Sequence, residues 1–255
     1  RKEGGISVRT NLDPLAEIWT NRPEIPLNPI EIQPLKYAGE TADSKLERIR
    51  KAIRSQHACG LLVTTLDDIA WTLNLRGSDV HCNPVFVSYL LIEDNTTTLF
   101  VNDKKLTTEV KNYLNSIKVK VEPYENVRKA LKAYKGYNIM LDKASTCYTL
   151  YKDIQVKVED CASPIPFMKA IKSDAEVAGF REAMKRDGVA LVKFLRWLKP
   201  AVEKGGETEL SIDRKLTSLR AEQALYRDIS FGTISAYQEH GAIVHYEPTA
   251  ETDIP

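Results

Sequence analysis

Apolar residues recur at helical or strand spacing along most of the chain, and prolines take over where they stop. In TADSKLERIRKAIRSQ, Leu46, Ile49, Ala52 and Ile53 fall on one face of a 3.6-residue repeat, which predicts a helix with a polar outer side. GLLVTT reads as a short buried strand and LDDIAWTLNL as a second helix. VFVSYLLIED and TTTLFVND flank Asp94-Asn95 and predict a hairpin. KLTTEVKNYLNSI, KVKVEPY, NVRKALKAY, NIMLD, ASTCYTLYKDI and QVKVEDC continue the alternation. Strands separated by helical runs of about 10–15 residues predict an α/β domain. The one antiparallel hairpin makes its sheet a mixed one.

Two proline-rich breaks bound that domain. In NLDPLAEIWTNRPEIPLNPIEIQPLKY, Asn11 is a candidate cap for a short helix carrying Leu15, Ile18 and Trp19, with Pro14 in its first turn. Pro23, Pro26, Pro29 and Pro34 then predict an extended linker, because each fixes φ and lacks a backbone donor. Pro164 and Pro166 make the second break and are expected to interrupt any regular element. Beyond them Ser173 and Glu176 form a capping box. Val177, Phe180, Met184, Leu191, Leu195 and Leu198 follow at helical spacing, with Pro200 as the expected stop. Thr208 caps a further helix bearing Leu210, Leu216 and Leu219, and DISFGTISAYQEHGAIVHYEP reads as β-like. The pattern divides the chain into 1–36, the tail of a preceding domain and a linker; 37–163, an α/β domain; and 164–255, the start of another domain. The apolar helix faces of the last part call for a partner sheet that the chain does not evidently supply.

Composition narrows the function classes. Apolar residues make up 43% and charged residues 28%, as in globular proteins. With 36 basic against 35 acidic residues, there is no electrostatic reason to expect nucleic acid or an anionic membrane. No apolar run approaches the ~20 residues that span a bilayer. Cys59, Cys82, Cys147 and Cys161 are far apart with no C-x-x-C pair, which reads as reduced thiols of an intracellular protein.

Few residues stand out as chemistry. His57 ends a surface helix and His81 sits in a polar loop; both read as solvated. His240 and His245 are five apart, on opposite faces of a strand or about 140° apart on a helix, and make a poor ligand pair. His245, in GAIVHY, reads equally as a satisfied strand histidine and as a site residue. Around Gly77, the residues Arg76, Ser78 and Asp79 favour a helix C-cap and turn. The alternative is an Arg76 guanidinium projecting into a site and oriented by Asp79. The acidic residues after Pro166, among them Glu209, Glu251 and Asp253, read mostly as solvated helix surface, with no spacing that builds a metal cage. GxGxxG, P-loop, G-x-S-x-G and H-E-x-x-H patterns are absent from the sequence.

Several dispersed motifs in a fixed order nevertheless resemble one family. Ile69-Ala70-Trp71 with Asn74-Leu75-Arg76-Gly77-Ser78-Asp79-Val80, then Asn83-Pro84-Val85, and Gly241-Ala242 before His245-Tyr246 carry the likeness. KYAGE and NLDPLAEIWTNRP extend it over nearly the whole chain. The sequence is similar to aminopeptidase P, the Xaa-Pro aminopeptidases of the pita-bread metallopeptidase group, in its long three-domain form. The resemblance implies a creatinase-type N-terminal domain followed by the first part of a pita-bread α+β catalytic domain. It implies removal of the residue preceding proline from peptides with proline second, in a cytoplasmic, homodimeric enzyme. It implies two divalent metals, manganese in most members, held by two Asp, one His and two Glu. His245 matches the histidine beside those metals that contacts substrate and steadies developing negative charge. Arg76 matches an arginine on the cleft side of the second domain and becomes a candidate substrate contact. None of the five ligands matches a residue here, so the chain reads as an internal fragment, inactive and metal-free alone. A prolidase or creatinase-type relative, or a non-catalytic module of the same fold, are the alternatives.

Overall fold

The computed structural model describes Arg9 and residues 12–255. The candidate cap Asn11 lies outside the described residues. The segment after it forms turns and no helix, with Ala16 N–H donating to Asp13 O and Trp19 N–H to Leu15 O. Two compact units follow from the contacts. The first comprises the described residues up to Gln33, Thr41–Asp79 and Val85–Ile171; the second comprises Pro34–Glu40, Val80–Pro84 and Lys172–Pro255.

The first unit is a mixed sheet between two helical layers. Strands β2 (Gly60–Val63), β4 (Tyr89–Glu93), β5 (Thr97–Phe100), β6 (Val119–Glu122), β7 (Asn138–Leu141) and β8 (Lys157–Asp160) align in the order β6-β5-β4-β2-β7-β8. The predicted hairpin is β4–β5, antiparallel, with Leu90 opposite Leu99. β2 pairs antiparallel with β4 and parallel with β7. Because successive side chains on a strand point to opposite faces, the strands feed two cores. Leu61, Val63, Leu90, Ile92, Leu99 and Met140 pack with helices α2 (Ala42–Ser55), α3 (Leu66–Thr72) and α4 (Thr108–Ser116). Leu62, Leu91, Phe100, Ile139 and Leu141 pack with α5 (Val127–Ala133) and α6 (Tyr148–Asp153). Burial on both faces explains the continuous apolar runs Leu61–Val63 and Ile139–Leu141. The expected face of α2 is buried at Leu46, Ile49 and Ile53. Pro164 and Pro166, expected to interrupt structure, instead open a short helix α7 (Ile165–Ala170), since a proline in the first turn has no intrahelical partner to lose.

The second unit is built on α8 (Asp174–Lys204) and α9 (Glu209–Ala221), preceded by the single turn α1 (Leu35–Ala38). The Ser173–Glu176 capping box is formed in both directions, and Thr208 caps α9. Gly39, after α1, has φ +73°, and a Cβ there would overlap the Ser173 hydroxyl that caps α8. Pro200 does not end α8, which runs one more turn to Gly205. Arg196 and Pro200, four residues apart, are both exposed, so the hydrogen bond that proline removes is lost on the exposed side of the helix. Ala190 and Phe194 pack on Leu216 and Leu219, while Phe180, Met184, Val192 and Leu195 are 59–67% exposed. The expected β-like stretch from Asp228 to Pro248 holds turns and a 3-10 helix at Gln238–Ala242. Alternation alone does not make a strand: the backbone needs a ladder partner, and the segment finds none among the described residues.

Candidate functional site

Arg76 stands at the end of β3 (Leu75–Arg76), which pairs antiparallel with β1 (Glu31–Ile32), Arg76 opposite Glu31. Its Nη1 donates to Ala70 O at 3.1 Å and Leu75 O at 2.8 Å. The next residue must be small: a Cβ on Gly77 would stand 2.8 Å from Phe86 Cβ and 2.9 Å from Val85 O. Asn28 Nδ2 donates to Ser78 O at 2.8 Å and pins the turn from the proline-rich side. Asp79 does not orient Arg76, contrary to the reading that coupled them. Its carboxylate forms an ion pair with Lys105, both side chains 0% exposed, and accepts the Val87 N–H at 2.6 Å. A buried ammonium leaves no choice, because an uncompensated charge inside the fold costs several kcal/mol.

Behind this turn, Lys45 Nζ donates to Trp71 O at 2.9 Å and Asn74 Oδ1 at 2.7 Å, and lies 4.2 Å from the Trp71 ring centroid. Tyr113 OH donates to Leu73 O at 3.0 Å. Burial, with the charge of Asp43 behind it, pushes the Tyr113 hydroxyl up to about 12. Lys169 bridges Asp67 and Asp68 in the first turn of α3. The Trp71–Asp79 segment is thus clamped from several sides, which gives Arg76 a fixed backbone.

His245 is exposed and sits in the left-handed region, with φ +56°. Its neighbour Tyr246 is buried, and around that ring lies a group of residues that local patterns did not reveal. Glu209, read as helix surface, is 2% exposed. Its carboxylate accepts the Tyr237 N–H at 2.6 Å and the Tyr246 hydroxyl at 2.7 Å, with His240 Nδ1 at 3.0 and 3.1 Å. His240 and Tyr246 stack with centroids 4.5 Å apart. With its one proton on Glu209, the Tyr246 oxygen accepts from the Thr252 hydroxyl at 3.1 Å. Burial works to raise the Glu209 pKa, but the bonds from Tyr246, Tyr237 and His240 prevail and hold it below its ordinary value.

These carboxylates do not fit a dinuclear metal centre. Both Glu209 oxygens are already engaged, and Asp253 Oδ1 accepts the Leu210 N–H at 3.0 Å. Among the described residues, no group of three or more His, Cys, Asp or Glu side chains is placed to hold a metal. No helix of the described residues is long and apolar enough to cross a membrane.

The two-core sheet with a clamped arginine turn, followed by a long capped helix, has known counterparts. Residues 21–176 match the Creatinase/Prolidase N-terminal domain, so the chain belongs to that family. Residues 178–254 match metallopeptidase family M24. More particularly, the chain is similar to a probable Xaa-Pro aminopeptidase P of Aspergillus niger, 36% identical over 257 residues, covering 95% of this chain and 41% of the relative. Xaa-Pro aminopeptidase 1 of Dictyostelium discoideum is 39% identical over 237 residues, 90% of this chain and 38% of the relative. The chain therefore spans about two-fifths of the length of these curated relatives. A solved X-prolyl aminopeptidase from Caenorhabditis elegans, described as a cytosolic enzyme with a di-nuclear active site, superposes with TM-score 0.87 at 32% identity, over 92% of this chain and 40% of that one. An Xaa-Pro dipeptidase from Bacillus anthracis, at TM-score 0.56 and 14% identity over 71% of this chain and 49% of that one, shares the fold alone.

Proposed function

We propose that this chain is part of an Xaa-Pro aminopeptidase, a metallo-exopeptidase that removes the N-terminal residue from peptides with proline second. The observation that supports this most is the likeness to the C. elegans enzyme across 92% of the chain, at 32% identity. In this reading residues 1–36 close a preceding domain, 37–163 form a second, non-catalytic domain and 164–255 begin the catalytic one. Arg76, held on a fixed backbone with its Nη1 on the Ala70 and Leu75 carbonyls, contacts substrate through its guanidinium. The His245 imidazole donates a hydrogen bond to the oxygen that gains negative charge at the scissile carbonyl. Two divalent metals, manganese in this reading, would be held by residues of the longer protein that are not among these 255. The whole enzyme is a cytoplasmic homodimer. The cytosolic description of the C. elegans enzyme and the free thiols of Cys59, Cys82, Cys147 and Cys161 support that setting.

The test is metal removal from a protein of the relatives' length that contains this chain. Chelation should abolish cleavage of an Xaa-Pro-Pro peptide and manganese should restore it, while the 255-residue chain should cleave nothing under either condition. Cleavage that survives complete chelation would count against the reading, and a protein that neither binds metal nor cleaves would be the non-catalytic module.

A further inference from the structure

His245 needs a fixed backbone, and the sheet does not supply one. Its stretch is unpaired by any strand among the described residues, yet His245 holds a left-handed φ of +56°. A non-glycine residue in that region carries about 1–3 kcal/mol of strain and persists only where its surroundings over-determine it. The surroundings that do so converge on Glu209. Tyr237 and His240 precede His245 and Tyr246 follows it, and all three bond to the Glu209 carboxylate. From the far side Thr252 holds Tyr246, while Asp253 Oδ1 and Ile254 O take the Leu210 and Glu209 N–H groups at the start of α9. Those N–H groups have no intrahelical partner, so the tail completes the helix end as it wraps the carboxylate.

We infer that Glu209 is the positioning residue of His245. Its carboxylate tethers the chain on both sides of the histidine to the N-terminus of α9, and so sets where the imidazole points. Nothing in the proposed activity itself assigns a role to this residue. The catalytic consequence rests on the Xaa-Pro reading, whereas the tether does not. A charge-assisted bond to a buried carboxylate is worth enough that its loss opens the segment about 10–100-fold more often.

Two measurements separate the claims. Amide exchange of residues 237–246 in the 255-residue chain should speed up at least tenfold in Glu209→Ala, with exchange in α8 unchanged. In the longer protein, the same substitution should lower kcat on an Xaa-Pro-Pro peptide about 100-fold with KM unchanged. Glu209→Gln, which keeps the shape and an acceptor for the Tyr237 N–H, should recover part of both effects. Unchanged exchange in Glu209→Ala overturns the inference whether or not the longer protein cleaves peptides. Faster exchange with an unchanged kcat overturns the positioning role. Faster exchange in a longer protein that is inactive as wild type leaves the tether standing and removes the Xaa-Pro reading.

Discussion

Lys105 reaches Asp79 with neither side chain exposed, and the pair governs what substitutions near Arg76 will do. Lys105→Met leaves a buried carboxylate without its cation, and removing one member of such a pair costs about 3–5 kcal/mol. Urea denaturation should show that loss in the single variant and a smaller one in Lys105→Met/Asp79→Leu, where no charge is stranded; equal losses would contradict it. At His245 the expected effect is catalytic. His245→Ala in the longer protein should lower kcat at least ~100-fold, the usual scale for removing a positioned proton donor, with little change in melting temperature. Of these residues, His245 and Arg76 were singled out through resemblance; Gly77, read as a helix C-cap, instead follows β3, because α3 already ends at Thr72 with Leu73 as its cap. Glu209 was not singled out: an acidic residue at a helix start reads as surface. Its burial depends on donors 28, 31 and 37 positions downstream, which no local periodicity reports. Likewise Asp79 read as a turn residue, with Arg76 as the alternative partner, when its partner Lys105 lies 26 residues away.

At the scale of elements, short-range chemistry carried most of the information. Apolar spacing placed α2, the β4–β5 hairpin and α9, and both capping boxes of the second unit involve residues three apart. Ser173→Ala should cost about 1 kcal/mol, read as a lower urea midpoint, because it removes an acceptor for the Glu176 N–H. The elements that were misread failed for reasons of solvent and partnership. Pro200 is tolerated in α8 on an exposed side of the helix, with Arg196 one turn before it exposed as well. GAIVHY alternates like a strand, but pairing is a property of two segments, and only one is present among the described residues.

At the scale of the whole molecule, pH exposes which buried groups hold the first unit together. Arg128, bonded at 2.5 Å, and Lys132 keep the Asp153 carboxyl below its ordinary value. A depressed carboxylate stabilises the fold above its unfolded pKa, near ~3.9, and that contribution is lost as pH falls through the lower folded value. Tyr113 is the opposite case. Its stabilisation is complete below the ordinary tyrosine value near ~10 and is lost as pH rises toward about 12. Stability curves of the wild type against Asp153→Asn should therefore converge at the acid end, and those against Tyr113→Phe at the alkaline end. Curves that stay parallel over both ranges would contradict the assignment. The mixed sheet was legible because each strand and helix announced itself locally. The surroundings of the apolar row on α8 were not, since Phe180 and Met184 can be called core only when their cover is known.

The relative kcat/KM of the longer protein on an Xaa-Pro-Pro tripeptide and on the matching Xaa-Pro dipeptide separates an aminopeptidase that acts before proline from a dipeptidase. An Xaa-Pro aminopeptidase should cleave the tripeptide before its first proline, prefer it strongly over the dipeptide, and lose that turnover in His245→Ala. Preference for the dipeptide, or turnover indifferent to His245, would contradict that reading.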